Sequence, residues 1–90
     1  MTNNFEIGDI VVSKAGRDEG RVYLIESLDN DFANLVDGNF RKLQNPKKKR
    51  LKHLKKSGIK IDSIAKKFSE GKKVFDTEIF SAIKNCEINK

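Results

Sequence analysis

The chain has 90 residues, a net charge of +6 and one cysteine, and its length allows a single small domain with or without an appendage. The lone Cys86 excludes an intrachain disulfide and any metal site that needs several cysteines. No apolar run approaches the roughly 18–20 residues of a membrane span, and the N-terminus lacks the basic and apolar regions of a signal peptide. We therefore expect a cytoplasmic protein without a membrane partner.

The first half of the sequence predicts short β-strands separated by turns. Apolar runs that end at glycine, asparagine or proline cover 5–13, 21–28, 32–37 and 40–43. Short strands with this even spacing are typical of a small antiparallel barrel or sandwich. The apolar and polar residues alternate imperfectly, since Tyr23 and Ile25 are apolar like Val22 and Leu24, and a tightly curved barrel accommodates this. Gly38 supplies the backbone freedom that a tight hairpin needs before the fourth run.

Residues 47–56 leave two interpretations open. Leu51 and Leu54 are three residues apart, which is a helical spacing. The segment also suits a last barrel strand that turns helical at its end. We favour a short strand or an irregular start, in which Leu51 anchors the segment to the core.

The last third of the chain changes to a helical period. Residues 63–70 and 77–86 each place apolar residues on one face, and Gly71 separates the two stretches. Asp62 and Asp76 are positioned to cap the two helices. Because the connection between them is short, we expect a helical hairpin.

The second predicted helix has an apolar stripe that needs a partner surface. Ile79, Ile83 and Cys86 form this stripe. Phe75 and Phe80 are placed to form a hydrophobic staple around the cap. The stripe is expected to pack on the barrel or on another protein.

Charge is distributed unevenly along the chain. Residues 1–40 contain three basic and eight acidic residues, whereas residues 41–60 contain ten Lys or Arg and no acid. Such a block attracts polyanions, with an affinity that falls steeply with salt. Eight of the ten cations are lysines, which favours contacts with phosphate over bidentate contacts with bases. The alternative is a solvated, lysine-rich turn that aids solubility.

A charged loop with two glycines lies between the first two predicted strands. Gly8-Asp9-x-Val11 followed by Ala15-Gly16-Arg17-Asp18-x-Gly20-Arg21 resembles the KOW motif. The nearest resemblance is to the eukaryotic- and archaeal-type KOW protein of the large ribosomal subunit and to short bacterial KOW-domain RNA-binding proteins. The similarity continues through Val36-Asp37-Gly38 and the basic segment, and covers about residues 5–55. The alternative for the loop alone is an ordinary β-hairpin with polar residues.

The resemblance implies an SH3-like barrel that binds RNA. The barrel and the basic segment would occupy residues 1–56, and the helical hairpin 57–90 lies outside the resemblance. Val22 and Tyr23 follow Arg21 where many KOW motifs have a further glycine, which favours the ribosomal type over transcription elongation factors. The contact residues that the resemblance implies are Lys14, Gly16, Arg17 and Arg21 in the loop, and the segment Lys48-Lys49-Arg50-Leu51-Lys52-His53-Leu54.

Among the aromatic residues, one is a candidate for stacking on bases. Phe40 lies beside Arg41 and Lys42, and exposed rings next to cations bind bases. Tyr23 is assigned to the barrel. Four other phenylalanines are assigned to packing: Phe5, Phe32, Phe68 and Phe80.

The residues that carry most enzyme chemistry form no recognisable set. One histidine and one cysteine cannot form a usual zinc site, so His53 is interpreted as a hydrogen-bond donor to RNA or to the backbone, and Cys86 as a packing residue. Asp18 and Glu19 balance the charge of the neighbouring arginines. We expect no cofactor, no metal and no enzymatic activity.

Two functional hypotheses follow. The first is an RNA-binding protein that acts on ribosomal or other structured RNA in translation. The second is a protein-interaction adaptor, in which Ile79 and Ile83 dock to a ribosomal protein, a polymerase or a second copy. For the first, the predicted contacts are Lys14, Gly16, Arg17, Arg21, Phe40, Arg41, Lys42, Lys47, Lys48, Lys49, Arg50, Lys52, His53, Lys55 and Lys56.

Overall fold

The computed structural model describes residues 4–86, which form a five-stranded antiparallel sheet followed by two helices. The strands are β1 (Asp9–Ser13), β2 (Val22–Asp29), β3 (Phe32–Val36), β4 (Lys47–Arg50) and β5 (Leu54–Lys60). The helices are α1 (Asp62–Ser69) and α2 (Asp76–Asn85), and a 3₁₀ turn over Leu51–His53 joins β4 to β5. The predicted mainly β class with C-terminal helices is confirmed. Neither described helix has the length and apolar character required to cross a membrane.

The sheet is strongly curved but is not closed into a barrel. Its strand order is β4-β3-β2-β1-β5, so β4 and β5 form its two edges. In a flat sheet, four interstrand spacings would separate these edges by roughly 19 Å. Only the three residues Leu51–His53 join the edges, and a 3₁₀ turn rises about 2 Å per residue. The sheet must therefore bend to bring its edges to one corner. Within residues 4–86 the two edge strands do not pair with each other, since β4 pairs with β3 and β5 with β1.

Both faces of the central strands are buried. One face holds a core formed by Val11, Tyr23, Ile25, Ala33, Leu35 and Leu54. The opposite face packs on the helical part of the chain through a second core, formed by Ile10, Leu24, Val36, Ile64, Val74 and Ile79. The imperfect alternation in the sequence is explained by this second core, because apolar residues are needed on both faces.

The helices are thus an integral part of the fold. Ile64 and Ile79 are buried against the sheet, and full burial of one such side chain contributes about 1.5–3 kcal/mol. The apolar stripe of the second helix is covered by the chain's own sheet. In addition, β5 continues to Lys60, past the boundary that the sequence placed at residue 56.

The predicted fourth strand over residues 40–43 is wrong. These residues belong to an irregular connection between β3 and β4, and the first residue of β4 is Lys47. The Asp37 carboxylate accepts the backbone N–H groups of Asn39 and Arg41 at 2.9 and 2.8 Å. Such local side-chain bonds compete with strand pairing for the same backbone donors, which explains the turn.

Both predicted helix caps are also wrong. Ile61 occupies the cap position of α1, and Asp62 lies in its first turn without a capping hydrogen bond. Phe75 occupies the cap position of α2. Asp76 instead accepts the backbone N–H of Leu43 at 2.7 Å, so its carboxylate fastens α2 to the connection between β3 and β4.

The hydrophobic staple of α2 lies one residue from its predicted place. With Phe75 as the cap, the staple positions fall on Val74 and Ile79, and both side chains are buried in the same core. Phe75 and Phe80 are 55% and 42% exposed. The assignment of Phe80 to packing is therefore wrong.

The connection between β3 and β4 approaches α2 most closely at Gly38. Gly38 has a φ of +77°, and a β-carbon on it would collide with the Asp76 carbonyl oxygen and lie 2.7 Å from the Phe80 nitrogen. Only glycine combines this backbone conformation with this close approach. Gly38 therefore sets how near the connection lies to the helix.

We expect Gly38→Ala to lower the free energy of unfolding by about 2–4 kcal/mol, through both the positive φ and the collision with α2. The matched control is Gly71→Ala, because Gly71 has a φ of +70° but open space around it. The control should lose only about 1 kcal/mol, the cost of the backbone conformation. Urea unfolding followed by circular dichroism measures both, and equal losses would contradict the close packing.

Candidate nucleic-acid interface

The charged loop between β1 and β2 is organised by one buried carboxylate. Asp18 accepts hydrogen bonds from the Ser13 hydroxyl at 3.0 Å, the Tyr23 hydroxyl at 2.9 Å and the Lys49 ammonium at 3.0 Å. The Lys47 ammonium lies 3.8 Å from the same carboxylate. Asp18 therefore joins the loop to β2 and to the edge strand β4.

Hydrogen bonding to this carboxylate outweighs the cost of burying it. Burial by itself raises the pKa of Asp18, but the bonds from Lys49, Tyr23 and Ser13 lower that pKa to about 2. Burial and the bond to Asp18 raise the pKa of Tyr23 well above its usual range. The carboxylate is thus ionised, and the phenol neutral, throughout the neutral pH range.

Lys47 and Lys49, both predicted RNA contacts, instead face Asp18. Lys47 and Lys49 alternate along β4 with Lys48 and Arg50, so the two pairs lie on opposite faces of the strand. The Lys49 side chain is only 12% exposed, and its ammonium also donates to the Ala15 carbonyl at 2.9 Å. Lys49 is therefore occupied inside the protein rather than available to a phosphate group.

The loop backbone has the conformation that its glycines predicted. Gly16 and Gly20 have φ values of +87° and +90°. Gly16 also lies close to the Lys49 ammonium, which a β-carbon at this position would approach to 3.5 Å. Gly16 thus belongs to the framework of the loop, beside the cation that holds it.

Exposed cations gather where this loop meets the 3₁₀ turn. The Lys14 N–H donates to the His53 carbonyl at 2.8 Å. Val12 pairs with Lys55, so Lys14, two residues after Val12, lies on the same face as Lys55. Lys52 is in the turn itself and is also exposed.

These residues define what we name the cationic corner: Lys14, Arg17, Lys52, His53 and Lys55. Arg17 is exposed in the charged loop. Within residues 4–86, the four Lys and Arg side chains of the corner have no carboxylate within ion-pair distance. By contrast, Lys56 lies 3.7 Å from the Asp9 carboxylate and donates to the Asn4 carbonyl at 2.7 Å.

A second group of cations covers an aromatic ring on the outer face of the sheet. The charged groups of Lys48 and Arg50 lie 4.8 and 4.7 Å from the centroid of the Phe32 ring. Lys48 is also 3.6 Å from Asp29, a pair that is exposed to solvent. Phe32 is half-buried under these cations and belongs to neither described core, which differs from its assignment to packing.

Arg21 and Phe40 form a third group of predicted contact residues, which lies beside α2. The Arg21 guanidinium is 4.4 Å from the centroid of the Phe40 ring, and Phe40 is 69% exposed. Phe80 and Lys84 lie on the same cleft as this pair. Of the other predicted contacts, Lys42 is exposed and Arg41 half-buried in the same connection as Phe40.

Sequence reasoning missed two of the α2 residues that line this cleft, Phe80 and Lys84. Phe80 follows Ile79 directly, and neighbouring residues on a helix are about 100° apart around its axis. That offset from the buried stripe is the signal of an exposed ring. Lys84 follows Ile83 and is offset in the same way.

The chain matches no protein-family model, and no curated protein is significantly similar to it. Within residues 4–86, no group of three or more His, Cys, Asp or Glu side chains is placed to hold a metal ion. The KOW resemblance therefore depends on the motif residues themselves.

We expect Asp18→Asn to lower the free energy of unfolding by about 2–4 kcal/mol at pH 7, because Lys49 loses its buried counter-charge. The control is Asp29→Asn, which breaks an exposed pair and should change stability by less than about 0.5 kcal/mol. Denaturant unfolding of the three proteins measures both effects.

The pH dependence of the same variants is a separate prediction. The pKa of Asp18 falls from 3.8 to about 2 on folding, so the folded state binds fewer protons than the unfolded state between about pH 4 and pH 2. The stability that the ionised Asp18 carboxylate adds is therefore complete above about pH 4 and is lost as the pH falls towards 2. The stability difference between wild type and Asp18→Asn should narrow over this range, and a constant difference would contradict the assignment.

Proposed function

We propose that the protein binds structured RNA, through contacts between the cationic corner and the phosphate backbone. The observation that carries this proposal is the set of exposed cations that have no acidic partner among residues 4–86. Exposed cations without a counter-charge attract a polyanion, and binding releases the counterions of the nucleic acid. Most of these cations are lysines, which suits recognition of backbone and shape rather than of base sequence.

The arrangement of the nearby acids supports the proposal. Asp18, which lies between Arg17 and Arg21 in the sequence, is buried and bound to Lys49. Its charge is therefore turned away from solvent and partly neutralised. Of the two acids in the loop, only Glu19 is exposed, beside the exposed Arg17 and Arg21.

The KOW resemblance adds a class of target. The strand order, with β5 against β1 and a 3₁₀ turn after β4, supports an SH3-like relationship for this curved sheet. Together with the motif residues, it favours RNA of the translation machinery, ribosomal RNA included, as the ligand. No enzymatic step is needed for this role.

The adaptor hypothesis receives less support. It relied on Ile79 and Ile83 as docking residues for a protein partner. Ile79 is completely buried in the chain's own core, and Ile83 packs partly against it. The residues intended for a partner are thus largely used in the fold.

The test is to replace Lys14, Lys52 and Lys55 together with glutamine. We expect weaker binding to a structured RNA hairpin and a slope of log K against log salt that is shallower by about 2, since each lost phosphate contact removes about 0.7–0.9. Fluorescence anisotropy over a series of potassium chloride concentrations measures both quantities.

The matched control replaces Lys66, Lys72 and Lys73 with glutamine. It removes the same number of charges from exposed positions elsewhere on the chain, and it should leave the salt slope nearly unchanged. If both triple variants lose affinity equally, net charge rather than the corner is responsible. If the wild type shows no salt-dependent binding, the proposal is wrong.

A further inference from the structure

A cleft with a volume of about 550 Å³ lies between α2 and the connection from β3 to β4. Pockets of roughly 300–1,000 Å³ are typical of small-molecule sites, so this cleft has room for a single nucleotide. Arg21, Asp37, Asn39 and Phe40 line it on one side, and Phe80, Ile83 and Lys84 of α2 on the other.

The two walls of the cleft are fastened to each other. The Asp76 carboxylate of α2 accepts the Leu43 N–H at 2.7 Å. Gly38 lies so close to α2 that a β-carbon would not fit. The Asp37 carboxylate holds the Asn39 and Arg41 N–H groups. The connection that carries Phe40 is therefore held in one conformation, which lowers the entropic cost of binding a ligand there.

The lining combines exposed aromatic rings with cations, a combination that suits a nucleotide. Phe40 is 69% exposed and Phe80 is 42% exposed, so two aromatic rings are open to solvent at one place. Arg21 and Lys84 bring a cation to each wall and have no ion pair in the described chain. The Asn39 side-chain amide forms no hydrogen bond within residues 4–86, and it carries both a donor and an acceptor.

The cleft also lies near the proposed phosphate-binding surface. The two ends of the charged loop are held together, because the Ser13 N–H donates to the Arg21 carbonyl at 2.9 Å, and Arg21 lines the cleft. A strand that lies along this loop has its phosphates near the corner and a base near Phe40. The Asp37 carboxylate also lines the cleft, but it accepts the Asn39 and Arg41 N–H groups. Arg21 and Lys84 have no carboxylate within ion-pair distance in residues 4–86, so the rim favours an anionic ligand.

We propose that this cleft binds one unpaired nucleobase of the RNA, stacked on the face of the Phe40 ring that the Arg21 guanidinium does not cover, while Arg21 and Lys84 contact the adjoining phosphates. This inference rests on the proposed RNA-binding function and specifies its target: RNA with a bulged or looped-out nucleotide rather than a continuous duplex. Every base has an aromatic face, so stacking of this kind tolerates different bases.

The test compares two RNA hairpins that differ at one position. The first has a single bulged uridine, and the second has an abasic residue at the same place. Because base–aromatic stacking contributes substantially to affinity, the wild type should bind the first hairpin about tenfold more tightly. Phe40→Leu and Phe80→Leu should each reduce this preference while leaving the affinity for the abasic hairpin nearly unchanged.

The matched control is Phe75→Leu. Phe75 is an exposed phenylalanine at the start of the same helix, with the Lys73 ammonium 5.1 Å from its ring centroid, and it does not line the cleft. This variant should keep the full preference for the bulged uridine. In addition, the proton resonances of the Phe40 ring should shift on addition of the bulged hairpin and much less with the abasic one.

The two proposals fail in different ways. Salt-dependent binding of both hairpins with equal affinity overturns the cleft proposal and leaves the RNA-binding function in place. A preference that survives in both Phe40→Leu and Phe80→Leu, or that disappears equally in Phe75→Leu, also overturns the cleft. Failure of the wild type to bind either hairpin overturns the RNA-binding function, and the cleft proposal with it.

Discussion

The buried Asp18 carboxylate is the interaction on which the candidate surface depends. It bonds to β1 through Ser13, to β2 through Tyr23 and to β4 through Lys49, so three strands and one loop share a single charge. A carboxylate without these donors would be costly to bury. With them, the loop has one defined shape, and its remaining cations point to solvent.

The helical layer has a comparable role on the opposite face. Ile64, Val74 and Ile79 cover the part of the sheet formed by Ile10, Leu24 and Val36. The same packing places α2 beside the connection from β3 to β4, where Gly38 and Asp76 hold the two together. The position of the cleft thus depends on the core. When Ile79 packs against the sheet, Phe80 and Lys84 of the same helix lie at the surface of the cleft.

The sequence predicted those features that depend on short-range chemistry. The strands at Val22–Asp29 and Phe32–Val36, the positive φ angles at Gly16 and Gly20, and both helices lie close to their predicted places. The basic segment was harder, because ten cations without an acid contain no periodic signal. Whether Lys49 faces inward depends on the register of β4 against β3, and that register is set by residues distant in the chain. The cap predicted at Asp76 failed for the same reason, since Asp76 accepts the N–H of Leu43, a partner 33 residues away.

The pairing of β5 with β1 has a consequence for how the chain is made. The meander β1–β2–β3 is local and can form as soon as it leaves the ribosome, but β1 remains an unpaired edge until residues Leu54–Lys60 are synthesised. Exposed strand edges pair readily with other chains, and contacts distant in sequence form late. The basic segment immediately precedes β5 in the chain, so mutual repulsion of its lysines opposes association between nascent copies during that interval.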